Sequence, residues 1–417
     1  MRLHRLEIHN YKSLRNVAIE PTPLAVFVGP NAAGKTNLAD AIDFLGHAYG
    51  WGLEKAVAYK GGYENICFRD TRRSREPIRF RVVIEYDCIN LDSDDDEIRE
   101  RLFVDHSFEL KASSQRIQAP YTIVSENLVL SRRTASGGHL KGFRQATRMN
   151  GDVRVKEEKR GSNVVDSLFP YLTEHELRES RNASAFMLST LRRHDWELDF
   201  EEDMGLLRVF QLDPRSCREA GIPTPNPELD RSGRDLPVAI DHLKKIFPEE
   251  YEAVLEAARK VMPTLEDMET DWTHRRAAAL FLKERGVKRP WTSEDVSAGT
   301  IQTIALLVAT FDPRTPLVVI EEPENSVHPW ALRNLVEAFR TASETKQILL
   351  TTHSPILIDQ LKPEEVWVVR KPGTETKIDP LLSLDPALRE SWGQGKFTLS
   401  EYLDSGAVPE AVPAANS

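Results

Sequence analysis

The chain has 417 residues, 40% of them hydrophobic and 29% charged, with a formal net charge of −10. That is the make-up of a water-soluble globular protein with room for two or three domains, and it excludes a chain coated in positive charge. Contact with nucleic acid has to come from local basic patches. Its longest clearly apolar run, Ile304 to Phe311, is far shorter than the roughly 20 residues that span a bilayer.

From the N-terminus, "RLHRLEIHN" alternates apolar and charged residues and reads as a strand, with "LRNVAIE" and "LAVFVG" following at short spacing. The opening lacks the apolar segment of a signal peptide. After Gly34 the period changes, and Leu38, Ala41, Ile42, Leu45 and Ala48 fall at helical spacing. "IRFRVVIEYDCI", "HSFELKAS" and "YTIVSENLVLS" read as strands again, and the acidic run Asp92 to Glu97 between the first two reads as a solvated loop. From about Asp166 to Arg289 the pattern is mainly helical, interrupted by a Pro-rich joint from Gly221 to Pro237. Beyond it, "VAIDHLKKIF" and "PEEYEAVLEAARKVM" read as amphipathic helices, with Pro248 opening the second. No heptad pattern persists and no internal repeat is visible.

The last third alternates strands and helices through "PLVVIEE", "WALRNLVEAFRTA", "QILLTTHS" and "EVWVVRK", the pattern of a largely parallel sheet covered by helices. The expected fold is therefore α/β, a mixed or parallel sheet flanked by helices, with an antiparallel β subdomain and a mainly helical insertion. In that layout residues 1–160 and 291–417 form a discontinuous head and 161–290 the insertion. Cys67, Cys88 and Cys217 are far apart, with no zinc or disulfide spacing, which fits a reducing cytoplasm.

"VFVGPNAAGKTN" places Gly29, Gly34, Lys35 and Thr36 in the G-x-x-x-x-G-K-[ST] spacing, after an apolar strand and before a helix. That context makes it a P-loop, with Asn31 and Asn37 counted among its nucleotide-binding positions. Glycines let backbone N–H groups curl around phosphate oxygens, and the helix N-terminus adds its dipole. Lys35 supplies a charge for the β- and γ-phosphates of ATP and Thr36 a hydroxyl for Mg²⁺. "LVVIEE" then ends an apolar strand on two adjacent carboxylates, costly unless a cation shares the site. Glu321 is expected to hold Mg²⁺ through water, as that ion prefers, and Glu322 to polarise the attacking water. His353 ends the strand "QILLTTHSP". It reads either as a structural residue or as a sensor of the γ-phosphate. Ser297 and Gly299 precede an apolar helix, where Ser297 is either an N-cap or part of a second helix N-terminus aimed at a neighbouring subunit's γ-phosphate.

Together, "LEIHNYKSLRNVAIE", "FVGPNAAGKTN", "VSAGT", "VVIEEPENSVHP" and "LLTTHSP" resemble ABC-class ATPases of the SMC/RecF group. Within it they are most similar to the overcoming-lysogenization-defect (OLD) ATPases and related bacterial phage-defence ATPases. "RSGRDLPVAIDHL" matches more loosely. The resemblance implies a P-loop NTPase of ABC-ATPase head type that forms an ATP-dependent homodimer. Ser297 and Gly299 of one chain would complete the site of the other, Glu322 would be the hydrolytic glutamate, Glu321 the magnesium carboxylate and His353 the switch histidine. Glu321 stands where ABC proteins usually carry aspartate, "VSAGT" is a loose signature, and no glutamine lies between Lys35 and Gln115 for a Q-loop. OLD proteins end in a Toprim nuclease domain. The segment 354–417 is shorter than the roughly 100 residues of a typical domain and holds no DxD-type cluster. A separate nuclease or effector partner is therefore expected.

The leading reading is an ATP-hydrolysing dimer that couples nucleotide state to DNA or nuclease control in phage defence or repair. The alternatives are the ATPase subunit of a membrane transporter and a nucleotide-gated scaffold with negligible turnover. The basic stretches Arg69 to Arg75, His274 to Arg276 and Lys283 to Trp291 read either as solvated surface or as DNA contacts. The tail from Ser391 to Ser417 reads as a disordered end or a docking segment.

Overall fold

A computed structural model describes residues 1–417 except 69–75, 91–97, 114–119, 135–139, 151, 160–185, 187–199, 274–275 and 410–417. The acidic run Asp92–Glu97, the basic run Arg69–Arg75, His274, Arg275 and much of the first part of the expected insertion lie outside the described residues. In chain order the strands are β1 (Arg2–Tyr11), β2 (Leu14–Ile19), β3 (Leu24–Val28), β4 (Ile78–Asn90), β5 (Ile98–Ala112), β6 (Tyr121–Thr134), β7 (Leu140–Met149) and β8 (Asp152–Lys159). They continue with β9 (Arg208–Phe210), β10 (Leu265–Trp272), β11 (Ala278–Glu284), β12 (Trp291–Thr292), β13 (Leu317–Glu321), β14 (Gln347–Thr352), β15 (Val366–Arg370) and β16 (Lys377–Pro380).

The chain divides into two units. One comprises Met1–Pro21, Asp40–Leu207 and Lys371–Ile378. It is built on an antiparallel sheet of order β2-β1-β4-β5-β6-β7-β8. Alternation puts Leu6 and Ile8 of β1, Phe80, Val82 and Ile84 of β4, and Phe108 and Leu110 of β5 in the core. Phe44 stacks on Phe80 and Phe80 on Phe108, with ring centroids 5.6 and 5.5 Å apart. His106 and Glu126 are buried in the same unit. The Tyr49 hydroxyl meets His106 Nδ1 at 2.7 Å, His106 Nε2 lies 3.0 Å from Glu126 Oε1, and Arg148 donates to Glu126 Oε2. Mutual satisfaction is what makes polar groups tolerable at that depth.

The other unit comprises Thr22–Ala39, Arg208–Arg370 and Asp379–Ser417. Its sheet has the order β16-β15-β3-β14-β13-β9, and β15, β3, β14, β13 and β9 run parallel. β3, β13 and β14 are buried at every position, as strands covered on both faces must be. Leu24, Val26, Val28, Val318, Ile320, Ile348 and Leu350 share one hydrophobic core with helices Ala298–Phe311 and Pro329–Ala342. Ile301 to Thr310 is buried without a break, so the first of these helices is covered all round. The second starts on Pro329, with His328 Nδ1 accepting from the Trp330 N–H.

The expected α/β fold is thus present, a parallel sheet flanked by helices in one unit and an antiparallel sheet in the other. Helices Leu236–Ile246 and Pro248–Val261 stand where the sequence places them. The segment read as mainly helical also holds the hairpin of β10 and β11, which β12 extends into a three-stranded sheet. Leu280 and Leu282 alternate in β11 with less buried Phe281, a period-two signal confined to a stretch too short to stand out. No described helix is long and apolar enough to cross a membrane.

Candidate functional site

β14 lies between β3 and β13, so the loops leaving the C-terminal ends of all three strands emerge side by side. In open α/β sheets this edge is where ligands bind. The loop after β3 carries the P-loop, the one after β13 the paired glutamates, and the one after β14 His353.

Gly34 has φ +113° and Ala32 φ +64°, so the P-loop reverses through left-handed backbone before helix Lys35–Gly50 begins. Lys35 is 6% exposed, and its ammonium donates to the carbonyls of Gly29 (2.6 Å) and Pro30 (3.1 Å). Burial pushes its pKa below the ordinary lysine value, and the carboxylates of Glu322 and Glu324 pull it partly back. Thr36 and Asn31 are exposed and Asn37 is half-buried. Gly29 has a second reason to be glycine: a Cβ there would overlap the Val369 carbonyl oxygen of β15.

Glu321 closes β13 and is buried. Its Oε1 accepts a 2.7 Å hydrogen bond from Arg231 Nη2. That arginine comes from a pinned turn. Gln211 N donates to Arg231 O, Asp213 N to Ser232 O, and Asp230 Oδ1 accepts from Ser232 N, Ser232 Oγ and Arg234 N. Glu322 then leaves the strand with φ +48°, a region that non-glycine residues occupy at a cost and that clusters at functional sites. Its N–H donates to Thr351 O at 2.9 Å, which keeps the turn on the sheet. His353 Nδ1 stands 3.3 Å from Glu322 Oε1 and 3.7 Å from Glu324 Oε1, so the histidine and both acids form one group.

Ser297 caps helix Ala298–Phe311, its Oγ accepting from Thr300 N at 3.1 Å. A Cβ on Gly299 would lie 2.6 Å from Ser326 O, so this glycine admits the backbone of the loop that follows Glu322. Neither residue is hydrogen-bonded to the P-loop among the described contacts. The site thus brings together Lys35, Glu321, Glu322 and His353, while Ser297 and Gly299 join it only through the 322–326 loop. Sequence reasoning did not reach Arg231 or Glu324. For Arg231 the only trace was the loosely matching "RSGRDLP"; for Glu324, a third acid two residues past the pair.

A bound Mg²⁺ needs hard oxygen donors. The buried Glu321 carboxylate and the Thr36 hydroxyl fit that chemistry. No group of His, Cys, Asp or Glu among the described residues forms a metal cluster of its own.

Comparison with known proteins gives one family match, to the family described as "AAA domain, putative AbiEii toxin, Type IV TA system", over residues 24–359. No curated protein matches. Three solved structures are similar in fold: an SMC head bound to the C-terminal winged-helix domain of ScpA (TM-score 0.47, 14% identity, covering 91% of this chain and 97% of that one), and the SMC head domain from Thermotoga maritima (0.42, 13%, 91% and 99%). The third is an SMC head with an extended coiled coil bound to the C-terminal domain of ScpA derived from Pyrococcus furiosus (0.47, 13%, 95% and 100%).

Proposed function

We propose, from the premise that the chain belongs to this AAA-domain family, that it is a Mg²⁺-dependent ATPase acting as an ATP-bridged homodimer, and that its nucleotide state controls a separate effector or DNA. The observation that carries the reading is the convergence of Lys35, Glu321, Glu322 and His353 at the C-terminal edge of β3, β13 and β14. Phosphoryl transfer asks mainly for positioning and charge, and these residues supply both.

In this reading the P-loop backbone from Gly29 to Gly34, with Asn31, receives the phosphates. Lys35 exchanges its carbonyl partners for phosphate oxygens, and Thr36 and Asn37 open the helix beneath them. Thr36 and Glu321 would hold Mg²⁺, which would supply positive charge to offset that of the phosphates. Glu322 orients a water and accepts its proton, and its left-handed backbone turns the chain out of β13 at that point. His353 shares that carboxylate and reports on the γ-phosphate. Ser297 is exposed and Gly299 half-buried at a helix start, which suits contact of Ser297 with nucleotide held by a second copy.

The pathway rests on the resemblance to OLD and other phage-defence ATPases and on the family description, which links an AAA domain to a toxin–antitoxin system. Both favour a partner-coupled ATPase in defence or repair. A nucleic-acid surface is supported by exposed Lys283, Arg285, Lys288 and Arg289 beside Trp291, which is 42% exposed. Charge reversal of these cations should remove a salt-dependent DNA affinity.

The deciding experiment compares ATP turnover and association state of the parent and Glu322→Gln. Turnover in the parent, loss of about 100-fold or more in the variant, and an ATP-trapped dimer in the variant are expected, because removing a general base costs about 10²–10⁴-fold. Normal turnover by Glu322→Gln would overturn the assignment of the base.

A further inference from the structure

Glu324 belongs to neither half of the acid pair, yet its surroundings are more specific than those of Glu322. Its side chain is only 10% exposed. Oε1 accepts from Thr352 Oγ1 at 2.6 Å and from the His353 N–H at 3.2 Å, and lies 3.7 Å from His353 Nδ1. Thr352 Oγ1 in turn accepts from Ser354 N at 3.0 Å, so one carboxylate oxygen organises the whole turn after β14. The other oxygen, Oε2, is buried and meets no hydrogen-bond donor among the described residues. A buried carboxylate oxygen without a donor is costly to keep unless something brings a donor to it.

Three features place Glu324 at the phosphate end of the sheet. β13, which the Glu324 loop follows, is separated from β3 and its P-loop only by β14, and the Lys35 ammonium feels the charges of both Glu322 and Glu324. Glu324 is carried by the same short loop as Glu322, closed by Asn325 N to Glu322 O and Val327 N to Glu324 O bonds of 3.0 and 3.1 Å. Glycine at 299 lets that loop's backbone seat against the helix Ala298–Phe311. The loop therefore gathers Glu322, Glu324 and His353 into one connected group at the phosphate end of the sheet.

We propose that Glu324 is a positioning residue of the hydrolytic site with its two oxygens doing different work. Oε1 fixes His353 relative to Glu322. Oε2 accepts a hydrogen bond from a water that enters with the nucleotide and holds that water in the shared orbit of the two acids. The inference rests on the ATPase reading above. It differs in asking for a second acid that leaves nucleotide binding intact, gives up no bond and forms none, and takes no proton.

Substitution separates the two oxygens. Glutamine keeps an oxygen for Thr352 and the His353 N–H but places an amide donor where Oε2 accepts; alanine removes both. In the full chain, Glu324→Gln is expected to bind a fluorescent ATP analogue within about 3-fold of the parent, with kcat falling about 10- to 100-fold and KM little changed, as for loss of an interaction made in the transition state. Glu324→Ala should lose turnover and also lower Tm, as the turn after β14 loses its acceptor. Parent kcat and KM in Glu324→Gln would overturn the role of Oε2, and parent Tm in Glu324→Ala that of Oε1. A parent that binds the analogue but turns over no ATP would instead overturn the ATPase reading. Equal turnover by an active parent and Glu324→Gln sinks this inference alone.

Discussion

Replacing Arg231 by alanine tests the least expected contact in the site. The guanidinium donates to Glu321 Oε1 at 2.7 Å, with Glu321 only 2% and Arg231 34% exposed in their side chains. The Arg231 carbonyl is held independently by Gln211 N and the neighbouring Ser232 carbonyl by Asp213 N, so truncation removes the guanidinium without releasing the loop. Breaking a fully buried ion pair costs about 3–5 kcal/mol, and a hydrogen bond to a charged group contributes about 1.5–3 kcal/mol. Partial exposure of the arginine screens the pair, which brings the expected loss to about 2 kcal/mol, or about 30-fold in the folding equilibrium. Urea denaturation of parent, Arg231→Ala and Arg231→Lys reads this directly. Lysine should recover part of the loss, since it restores the charge without the planar fork. Mg²⁺ with a non-hydrolysable ATP analogue should stabilise Arg231→Ala more than the parent, because a cation then returns to Glu321. A loss below about 0.5 kcal/mol, or equal stabilisation of both proteins by the Mg²⁺ nucleotide, would refute the idea that Arg231 is a principal counter-charge of Glu321.

Two other predictions use residues outside the acid pair. Gly29→Ala puts a methyl against the Val369 carbonyl, backbone that cannot rotate aside, so it should cost about 1–3 kcal/mol of stability. It should also weaken nucleotide binding, and thermal melting with analogue binding would show both losses together; a parent-like melt contradicts the packing argument. Burial pushes the Lys346 ammonium down to about 8, against a partial pull from Asp312 and Glu250. The unfolded chain keeps that proton until about pH 10.4. Between about pH 8 and 10.4 the unfolded state therefore binds more protons, and this group makes stability rise with pH. Denaturation midpoints of the parent minus those of Lys346→Met should climb across that window and stay level below it.

How much of this was legible in the sequence follows from distance along the chain. The P-loop was readable because Gly29, Gly34, Lys35 and Thr36 act through local backbone geometry, and one strand and one helix suffice to present them. The acid pair was readable because an apolar strand ended on Glu321 and Glu322 with a P-loop already upstream. The hairpin of β10 and β11 was missed because its alternation runs for only a few residues beside strongly helical neighbours. Glu324 sits two residues from Glu322, but its place depends on β14 lying beside β13, which spacing does not encode.

The sequence by itself determined the chemistry available: a phosphate loop, two adjacent carboxylates, a histidine after an apolar strand, and alternating elements that make a parallel sheet. Only the tertiary structure decided which groups meet. Arg231 and Glu321 are 90 positions apart, and Thr352 and Glu324 are 28 apart, yet each pair is in hydrogen-bond contact. Periodicity reports which face of an element is apolar. The order in which strands lie side by side, and so the company each loop keeps at the sheet edge, is settled by burying all those faces at once.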